Sequence, residues 1–594
     1  MASESFDFVI VGGGLAGLVL ASRLSEDPAV QVLVIEAGED QTADPRVNVP
    51  AMWPTLLNTP SAYSFRTVPQ NELENREIWF PLGRLLGGSS ALNGLAFSIT
   101  SKANVDAWEA LGNSGWGWSS FSESFKKAYS LPSEGTDAKG PIQLAVPDED
   151  TEWPRVWRET LTALGFPVND DPFSGQLSGG LIVTDSLHPA TKQRSYVGNA
   201  YLEAARPRSN LTIWTKALAE KIIFDKSDIP VATGVQVNKD GETKIVGARK
   251  EVIISAGTIN SPKVLELSGI GDAKLLQSLG IDVVVDNPNV GENLQNHPLI
   301  TLSFETRGQA GFETIDKLAR QDQAALGAAM EAYSKQKGPF AKSNSNIAAQ
   351  LPFPGVTSEQ GKQELDKILQ SVSSTVPDKP TSLAEAHESF VRSILTSPTE
   401  ASGCYLAIPG YAGSNGDGTM AGPPPGDESW LSFVLLLAHP LSRGSVHITK
   451  ASGDSSPALA IDPKYFSHPL DLEVFARHLQ FAEKLAQTEP LASALKLDGR
   501  RTPAAPPLLG SFADLDAAKE YIRKTAVGAH HFTGTCAMAP RELGGVVDAQ
   551  LRVYGTRNLR VCDASVIPIT PRTNPQATVY GVAEHGARII KATS

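Results

Sequence analysis

The chain has 594 residues, of which 41% are hydrophobic and 20% charged, and its formal net charge is −13. This length exceeds what a single hydrophobic core usually supports, so we expect a globular protein of two or more closely packed domains. An acidic chain without a marked basic run is a poor partner for nucleic acid or for an acidic membrane surface.

The cysteines and the first apolar run indicate the cellular compartment in which the protein is expected. Cys404, Cys536 and Cys562 are few and widely spaced, which predicts neither a disulfide framework nor a structural zinc site, and we expect no metal. The apolar run over residues 8–21 follows Glu4 and is interrupted by glycines, so we interpret it as part of the fold and not as a signal peptide. With no transmembrane segment indicated, we expect a cytoplasmic protein.

The first predicted unit is a strand over residues 6–11, a glycine turn and a helix. Gly12, Gly14 and Gly17 have the G-x-G-x-x-G spacing, which permits a tight turn, close approach of the backbone to a pyrophosphate, and close packing of helix on strand. A second apolar strand ends at Glu36, whose carboxylate can bind the hydroxyls of an adenosine ribose. The unit predicts a site for a dinucleotide containing ADP, but it does not distinguish NAD from FAD.

Two later segments are also typical of a ligand-binding backbone. Residues 81–98 are rich in glycine, serine and other small side chains, which indicates either a flat group lying against the backbone or a tight helix–helix contact. Residues 248–271 predict a buried strand, a turn and a helix, with Ser261 as the N-cap, Pro262 in the first turn and Gly269 at the end.

Together these stretches resemble the glucose–methanol–choline (GMC) family of flavin oxidoreductases. The similarity rests on four stretches: the glycine motif with Glu36, "GRLLGGSSALNG" followed by "DAWEALGNSGWGW", "GTINSPKVLELSGIG" followed by "VGENLQNHP", and a C-terminal block that begins "HFTGTCAM". It runs from residue 6 to about residue 590 and is weakest in the middle third. The resemblance implies an α/β fold with a Rossmann-like FAD-binding domain and an α+β substrate domain built on an antiparallel sheet.

The resemblance also implies where the two domains lie. The FAD-binding domain is discontinuous and comprises residues 1–150, 191–300 and 525–594, and the substrate-binding domain comprises residues 151–190 and 301–524.

Three stretches of the middle third carry local signals. Residues 430–449 and 458–466 predict strands of the antiparallel sheet. Residues 409–428, dense in glycine and proline, predict a long loop, which is either a solvent loop or a lid over the substrate entrance.

By the same resemblance the cofactor is FAD. Relatives that attach FAD covalently do so through a histidine just before Asn93, and this chain has Leu92 there, so we expect non-covalent FAD. The implied cofactor-binding residues are Gly12, Gly14, Leu15, Ala16, Gly17, Glu36, Ala37, Arg84, Gly88, Ser89, Asn93, Gly94, Leu95, Ala96, Ala219, Asp563, Ala564, Pro575 and Gln576.

The implied catalytic pair is His531 and Asn574. His531 fits the family pattern H-x-x-G-T, whereas the adjacent His530 is out of register and is interpreted as structural or as lying behind the catalytic residues. A neutral imidazole accepts a hydroxyl proton near neutral pH, while an amide cannot take up that proton but can orient the substrate oxygen. His297, in "ENLQNHP", is also interpreted as structural.

The resemblance therefore implies an FAD-dependent enzyme that oxidises an alcohol (a CH–OH donor) by hydride transfer to flavin, with His531 as base. We expect a small-molecule alcohol, as in secondary metabolism, and oxygen or another electron acceptor, with no nucleic-acid or membrane partner. Two alternatives stay open: a lyase or cyclase of the same fold that uses His531 as acid or base without flavin turnover, and a non-catalytic flavin-binding subunit. The substrate, the acceptor and the oligomeric state stay open too.

Overall fold

The computed structural model describes residues 4–131, 139–169, 171–176, 178–372, 380–451, 459–502, 505 and 510–593. These residues form a mixed α/β fold with two seven-stranded sheets, and the predicted fold class is confirmed. No helix in this part of the chain combines the length and the apolar character that crossing a bilayer requires.

The first large sheet has a parallel centre and an antiparallel edge. Its central strands are buried on both faces, as expected where helices cover a parallel sheet. The helix Leu15–Leu24 makes the crossover between the first two parallel strands and packs against the helix Gln576–Thr593. In order across the sheet, the strands are Leu211–Trp214, Val32–Ile35, Ser5–Val11, Glu242–Ile254, Ala232–Lys239 and Ala217–Phe224, with Leu559–Val561 parallel to Glu242–Ile254.

The second large sheet is antiparallel except for its last pair. Two helices pack against this sheet and form a second hydrophobic core with it: Trp153–Ala163 and Pro469–Ala486. In order across the sheet, the strands are Val527–Gly528, Pro298–Glu305, Trp430–Leu437, Gly403–Ile408, Ile347–Leu351, Gly179–Ile182 and Val168–Asn169.

The two sheets bear on the predicted domain boundaries. Every strand of the first sheet falls in the segments predicted to bind FAD. In the second sheet, Pro298–Glu305 crosses the boundary at residue 300 and Val527–Gly528 lies beyond the boundary at residue 525. The domain division itself stays a prediction.

The strands predicted within residues 430–466 belong to two sheets, not one. Gly444–Ile448 is the central strand of a separate three-stranded sheet and pairs with Glu292–Leu294 on one side and with Leu459–Asp462 on the other. The chain leaves the large sheet because Pro440 has no N–H to donate, while the carboxylate of Asp471 takes the N–H groups of Leu441 and Ser442.

Five further sheets have two strands each within the described residues: Ala62–Arg66 with Trp79–Gly83, Ala96–Phe97 with Thr184–Asp185, Tyr129–Ser130 with Ile142–Gln143, Ile270–Gly271 with Val285–Asp286, and Gly413–Ser414 with Met420–Ala421. Besides the four named above, the α-helices are Pro45–Asn48, Lys102–Ala110, Trp118–Phe125, Glu203–Ala205, Gly257–Leu267, Ala273–Ser278, Asp316–Ala319, Gln323–Ser334, Glu359–Ser371, Leu383–Thr396 and Leu515–Thr525.

The predicted start of one helix was wrong. The helix begins at Gly257, so Ser261 and Pro262 lie inside it and Ser261 is not its N-cap. The hydroxyl of Ser261 accepts the N–H of Ala256, the actual cap residue, at 3.1 Å and donates to Asp563 at 2.6 Å. Ser261 therefore ties the first turn of the helix to a distant loop.

The glycine- and proline-rich segment 409–428 is fastened to the two-stranded sheet that contains Trp79. The carbonyl of Asp417 accepts the N–H of Trp79 at 2.7 Å, and its carboxylate pairs with Arg66 at 2.9 Å. No residue of the segment lines the cavity described below. The segment is not a loop throughout, because it contains the antiparallel pair Gly413–Ser414 and Met420–Ala421, and its contacts favour a fixed segment over a lid.

Candidate active site

A cavity of about 490 Å³ lies where the parallel strands of the first sheet end. The residues that follow four of these strands line it: Gly12, Glu36, Ser255 and Asp563. Ligands of open α/β sheets bind at this edge, and the volume is ordinary for a small-molecule or cofactor site.

The glycines of two predicted motifs meet at one end of the cavity. Gly12 has a φ of +106°, and a Cβ placed there would lie 2.4 Å from the carbonyl oxygen of Ser255. A Cβ on Gly88, whose φ is +52°, would lie 2.8 Å from the Cα of Gly14. Gly14 begins the helix Leu15–Leu24 without a side chain that could cap it, so the first N–H groups of the helix remain available. This cradle fits a pyrophosphate, which the helix dipole would also favour.

Glu36 is a buried carboxylate in the same cavity. Its two oxygens accept the N–H groups of Gly13 and Gly38, each at 2.8 Å. Burial raises the pKa of Glu36 to about 7, although both N–H groups and Arg84 favour the ionised form. Each carboxylate oxygen has a second lone pair, so Glu36 can also accept hydroxyl hydrogens from a ribose.

The predicted cofactor-binding residues other than Gly17 all line this cavity. They are Gly12, Gly14, Leu15, Ala16, Glu36, Ala37, Arg84, Gly88, Ser89, Asn93, Gly94, Leu95, Ala96, Ala219, Asp563, Ala564, Pro575 and Gln576. Gly17 lies behind them: a Cβ there would be 2.0 Å from the carbonyl oxygen of Gly12, so this glycine permits close packing of helix on turn and does not line the cavity.

Arg194 supports the loop that contains Asn93 and was missed in the sequence. It is fully buried and donates to the amide oxygen of Asn93 at 2.7 Å and to its carbonyl at 2.8 Å. The same amide oxygen accepts the N–H of Leu95 at 3.0 Å, and Asn93 in turn contacts Gln576. Burial lowers the pKa of Arg194 to about 10. A single arginine in a polar stretch carries no local signal of such a role.

His531 is placed by an irregular antiparallel pairing. Residue 295 pairs with 533 and residue 298 with 528, so the segment 528–533 has two more residues between these pairs than the segment 295–298. The extra length is taken up around His530, whose φ of 61° is in the left-handed region. The N–H of His531 donates to the side chain of Asn296 at 2.8 Å, which holds the ring against the neighbouring segment.

The ring of His531 contacts two side chains, one on each nitrogen. Its Nε2 lies 3.1 Å from Nδ2 of Asn574, and both residues line the cavity. Its Nδ1 lies 2.8 Å from Nδ1 of His297, which the sequence indicated to be only structural. Burial holds the pKa of His531 well below its usual range, so the imidazole is neutral near neutral pH. A neutral ring that faces the cavity beside an amide donor can accept a proton from a substrate whose oxygen the amide orients.

His530, which the sequence indicated to be structural or to lie behind the catalytic residues, also lines the cavity. Burial lowers its pKa to about 4, and its ring lies edge-on to Trp79 with centroids 6.1 Å apart. The second sheet contributes Leu406 to the wall, and Ser345 and Phe532 also line the cavity. The sequence indicated Phe532 as part of the pocket wall, because it replaces a proline that relatives often carry after the histidine, but it did not assign Ser345 or Leu406 to the site.

Comparison with known proteins finds similarity over nearly the whole chain. Profiles of the GMC oxidoreductases match residues 6–299 and residues 440–583. Dehydrogenase mpl7 of Monascus purpureus is 35% identical over 619 residues, which cover 99% of this chain and 96% of that protein.

Solved structures are similar as well. An FAD-dependent oxidoreductase from Chaetomium thermophilum has a TM-score of 0.86 and 27% identity, and a fungal aryl-alcohol oxidase has a TM-score of 0.83 and 27% identity; each match covers 99% of both chains. The chain therefore belongs to the GMC oxidoreductase family and is an FAD-dependent oxidoreductase.

Proposed function

We propose that this oxidoreductase oxidises the CH–OH group of a neutral small-molecule alcohol, with His531 as the base and Asn574 as the residue that orients the substrate oxygen. One observation carries the proposal: Nε2 of His531 and Nδ2 of Asn574 lie 3.1 Å apart in the cavity that also contains the glycine cradle and Glu36.

The cavity residues divide the work of binding. Gly12, Gly14 and Gly88 would hold the pyrophosphate of FAD, and Glu36 would hold the adenosine ribose. When bound, FAD supplies the two-electron chemistry by accepting the hydride that leaves the carbinol carbon.

The protein supplies the proton acceptor and the geometry. The amide of Asn574 donates to the substrate oxygen, and Nε2 of His531 takes the hydroxyl proton as the O–H bond breaks. The base is available because burial disfavours the imidazolium form of His531 before substrate binds. Such positioning contributes to rate because the acceptor and the oxygen need not find each other by diffusion.

The wall around the catalytic pair indicates a neutral substrate. Ser345, Leu406, Ala529 and Phe532 line the cavity, and none of the four carries a charge. Of the charged residues that line the cavity, Glu36, Arg84 and Asp563 are those predicted to bind the cofactor, and Lys263 belongs to the helix Gly257–Leu267. A charged alcohol would lose its hydration at this wall without gaining an ion pair. The similarity to a fungal aryl-alcohol oxidase supports the same class of substrate.

We also propose that FAD is dissociable. Leu92 lines the cavity at the position where some relatives carry the histidine that attaches FAD, and an aliphatic side chain cannot form that bond. Acid precipitation of the holoenzyme is therefore expected to release all flavin into the supernatant. Flavin that stays with the precipitated protein would show a covalent attachment elsewhere.

Anaerobic mixing of the holoenzyme with matched alcohols tests the proposed reaction. We expect benzyl alcohol and similar neutral alcohols to bleach the visible absorbance of the flavin, and the charged 4-carboxybenzyl alcohol to do so far more slowly. Yellow flavin that persists while a product forms would instead support the lyase or cyclase alternative. Reduction by the charged alcohol at the same rate would refute the assignment of a neutral substrate.

A further inference from the structure

We propose that His297 is a positioning residue that fixes the tautomer of His531 with its hydrogen on Nδ1, so that Nε2 carries the lone pair that accepts the substrate proton. The inference rests on the proposed function, in which His531 is the base. It deepens that function by naming the group that decides which nitrogen of the base is active.

The first link is between His297 and the backbone. Its Nε2 lies 3.0 Å from the carbonyl oxygen of Ala438, just after the strand Trp430–Leu437. A carbonyl only accepts, so Nε2 of His297 carries a hydrogen. The ring is 1% exposed, and burial lowers its pKa to about 4, although the carbonyls of Ala438 and Pro571 favour the protonated form. His297 is therefore neutral near neutral pH, and its Nδ1 carries a lone pair.

The second link is between the two histidines. Their Nδ1 atoms lie 2.8 Å apart, a distance at which one atom must donate and the other accept. Because His297 presents a lone pair, His531 donates and carries its hydrogen on Nδ1. In the neutral ring Nε2 then has the lone pair, and it faces the amide Nδ2 of Asn574 at 3.1 Å. Each contact in the chain from Ala438 to Asn574 thus pairs one donor with one acceptor.

The opposite tautomer of His531 would break this pattern. Two lone pairs would face each other at the Nδ1 contact, or His297 would have to move its hydrogen and leave the carbonyl of Ala438 without a donor. Both rings are at least 90% buried, so bulk water does not readily replace the lost partner. Leaving a buried polar group without a partner is costly enough to hold one tautomer.

The fold presents His297 to His531 from the paired backbone segment. Residue 295 pairs with 533, and the N–H of Ala529 donates to the carbonyl of His297 at 3.0 Å. Both ends of the contact are therefore anchored by backbone hydrogen bonds. When His531 takes up the substrate proton, its Nδ1–H becomes a charge-assisted donor to His297, and such hydrogen bonds are about twice as strong as neutral ones. His297 thus also stabilises the charge that forms on the base.

The direct test reads the tautomer in the holoenzyme. Two-bond ¹H–¹⁵N correlation spectra of protein labelled with [¹⁵N]histidine distinguish a ring nitrogen that carries hydrogen from one that does not, and the His531 signals are assigned by their loss in His531→Gln. We expect hydrogen on Nδ1 and a lone pair on Nε2 of His531 at neutral pH. Hydrogen on Nε2, or on both nitrogens, would overturn the inference.

Variants of His297 connect the tautomer to the reaction. His297→Leu removes the acceptor, so we expect loss of the single tautomer and a fall of about 10- to 100-fold in the rate constant of anaerobic flavin reduction. His297→Gln can still accept from His531 and donate to Ala438, so we expect it to restore the tautomer and most of the rate. His478→Leu is the matched control, because it removes another fully buried histidine, bonded to Ser402 at 2.8 Å outside the cavity.

The outcomes separate this inference from the proposed function. If no alcohol reduces the wild-type flavin, the proposed function fails, while the tautomer spectrum still judges the role of His297. If His297→Leu keeps both the tautomer and the reduction rate, or if the control lowers the rate as much, His297 has no specific role. If His297→Leu does not fold, the wild-type spectrum and His297→Gln decide the question.

Discussion

Glu36 should make FAD binding depend on pH. In the protein without FAD, burial raises its pKa to about 7 in spite of the N–H groups of Gly38 and Gly13. Ribose hydroxyls that donate to the carboxylate favour its ionised form, so bound FAD lowers that pKa. By linkage, FAD binds more weakly as the pH falls below the pKa of the FAD-free protein.

The size of the effect follows from that pKa. Each pH unit below it weakens binding by up to about tenfold, because one unit of pKa corresponds to about 1.4 kcal/mol. With the pKa of Glu36 at about 7, we expect the Kd for FAD to rise about tenfold from pH 8 to pH 6. The cavity histidines do not contribute over this range, because burial lowers the pKa of His530 to about 4 and holds that of His531 well below its usual value.

Dilution of the holoenzyme measures this dependence. The fluorescence of released FAD, followed at constant ionic strength over a series of pH values, gives Kd at each pH. Glu36→Gln should weaken binding and abolish the pH dependence, because the amide does not titrate. Glu39→Gln is the matched control: its carboxylate lies nearby but is exposed, pairs with Lys216 at 2.8 Å and does not line the cavity.

Two results would refute this reasoning. One is a wild-type Kd that changes by less than about twofold over the range, since a carboxylate bound to ribose must couple its ionisation to FAD. The other is a Glu36→Gln variant that keeps the wild-type slope, which would place the titrating group elsewhere. A slope lost in Glu39→Gln would point to the same conclusion.

Three further predictions concern the base, the packing of helix on glycine turn, and the charged contacts of His447 with a helix and a neighbouring strand. His531→Gln should lower the rate constant of anaerobic flavin reduction by about 10²- to 10⁴-fold. His530→Asn should lower it by less than about tenfold, because asparagine tolerates the left-handed backbone at this position. Stopped-flow absorbance measures both rate constants. Gly17→Ala places a Cβ 2.0 Å from a carbonyl oxygen and should lower the free energy of unfolding by about 1–3 kcal/mol. Gly327→Ala lies in a helix with open space around it and should raise the free energy of unfolding by about 0.5–1 kcal/mol. Denaturant titrations measure both changes. Burial lowers the pKa of His447, but hydrogen bonds to two glutamates outweigh burial and raise it to about 9. Its contribution to the stability of the fold is therefore complete below about pH 6.5 and is lost as the pH rises through 9. That contribution, at most about 3 kcal/mol, should be absent from the stability–pH profile of His447→Gln, and identical profiles would contradict the assignment.

Several features could be predicted from the sequence because they depend on neighbours along the chain. The strand, the glycine turn and the helix at residues 5–24 follow from apolar spacing and from the backbone freedom of Gly12. The spacing from this turn to Glu36 indicated a dinucleotide site, and the cavity places both at one end. The pattern H-x-x-G-T singled out His531 only through the family resemblance, since a histidine in a turn has no intrinsic signal of catalysis.

Other features were decided by tertiary structure. The start of the helix at Gly257 depends on the contact between Ser261 and Asp563, which are 302 positions apart in the chain. The chain leaves the sheet after Trp430–Leu437 because Asp471 accepts the N–H groups of Leu441 and Ser442. Arg194 reaches Asn93 from 101 positions away. Such contacts depend on which strands pair and in which register, and a one-residue change of register would turn the side chains to the other face.

The sequence by itself thus determined the chemical groups available: a backbone suited to phosphate, a carboxylate for ribose, an imidazole and an amide. Only the tertiary structure decided how these groups are presented. His297 and His531 are 234 positions apart, and their contact exists because two irregularly paired segments bring the rings to 2.8 Å inside a buried wall. A local pattern specifies what a side chain can do, whereas its protonation depends on distant groups that the fold brings into contact.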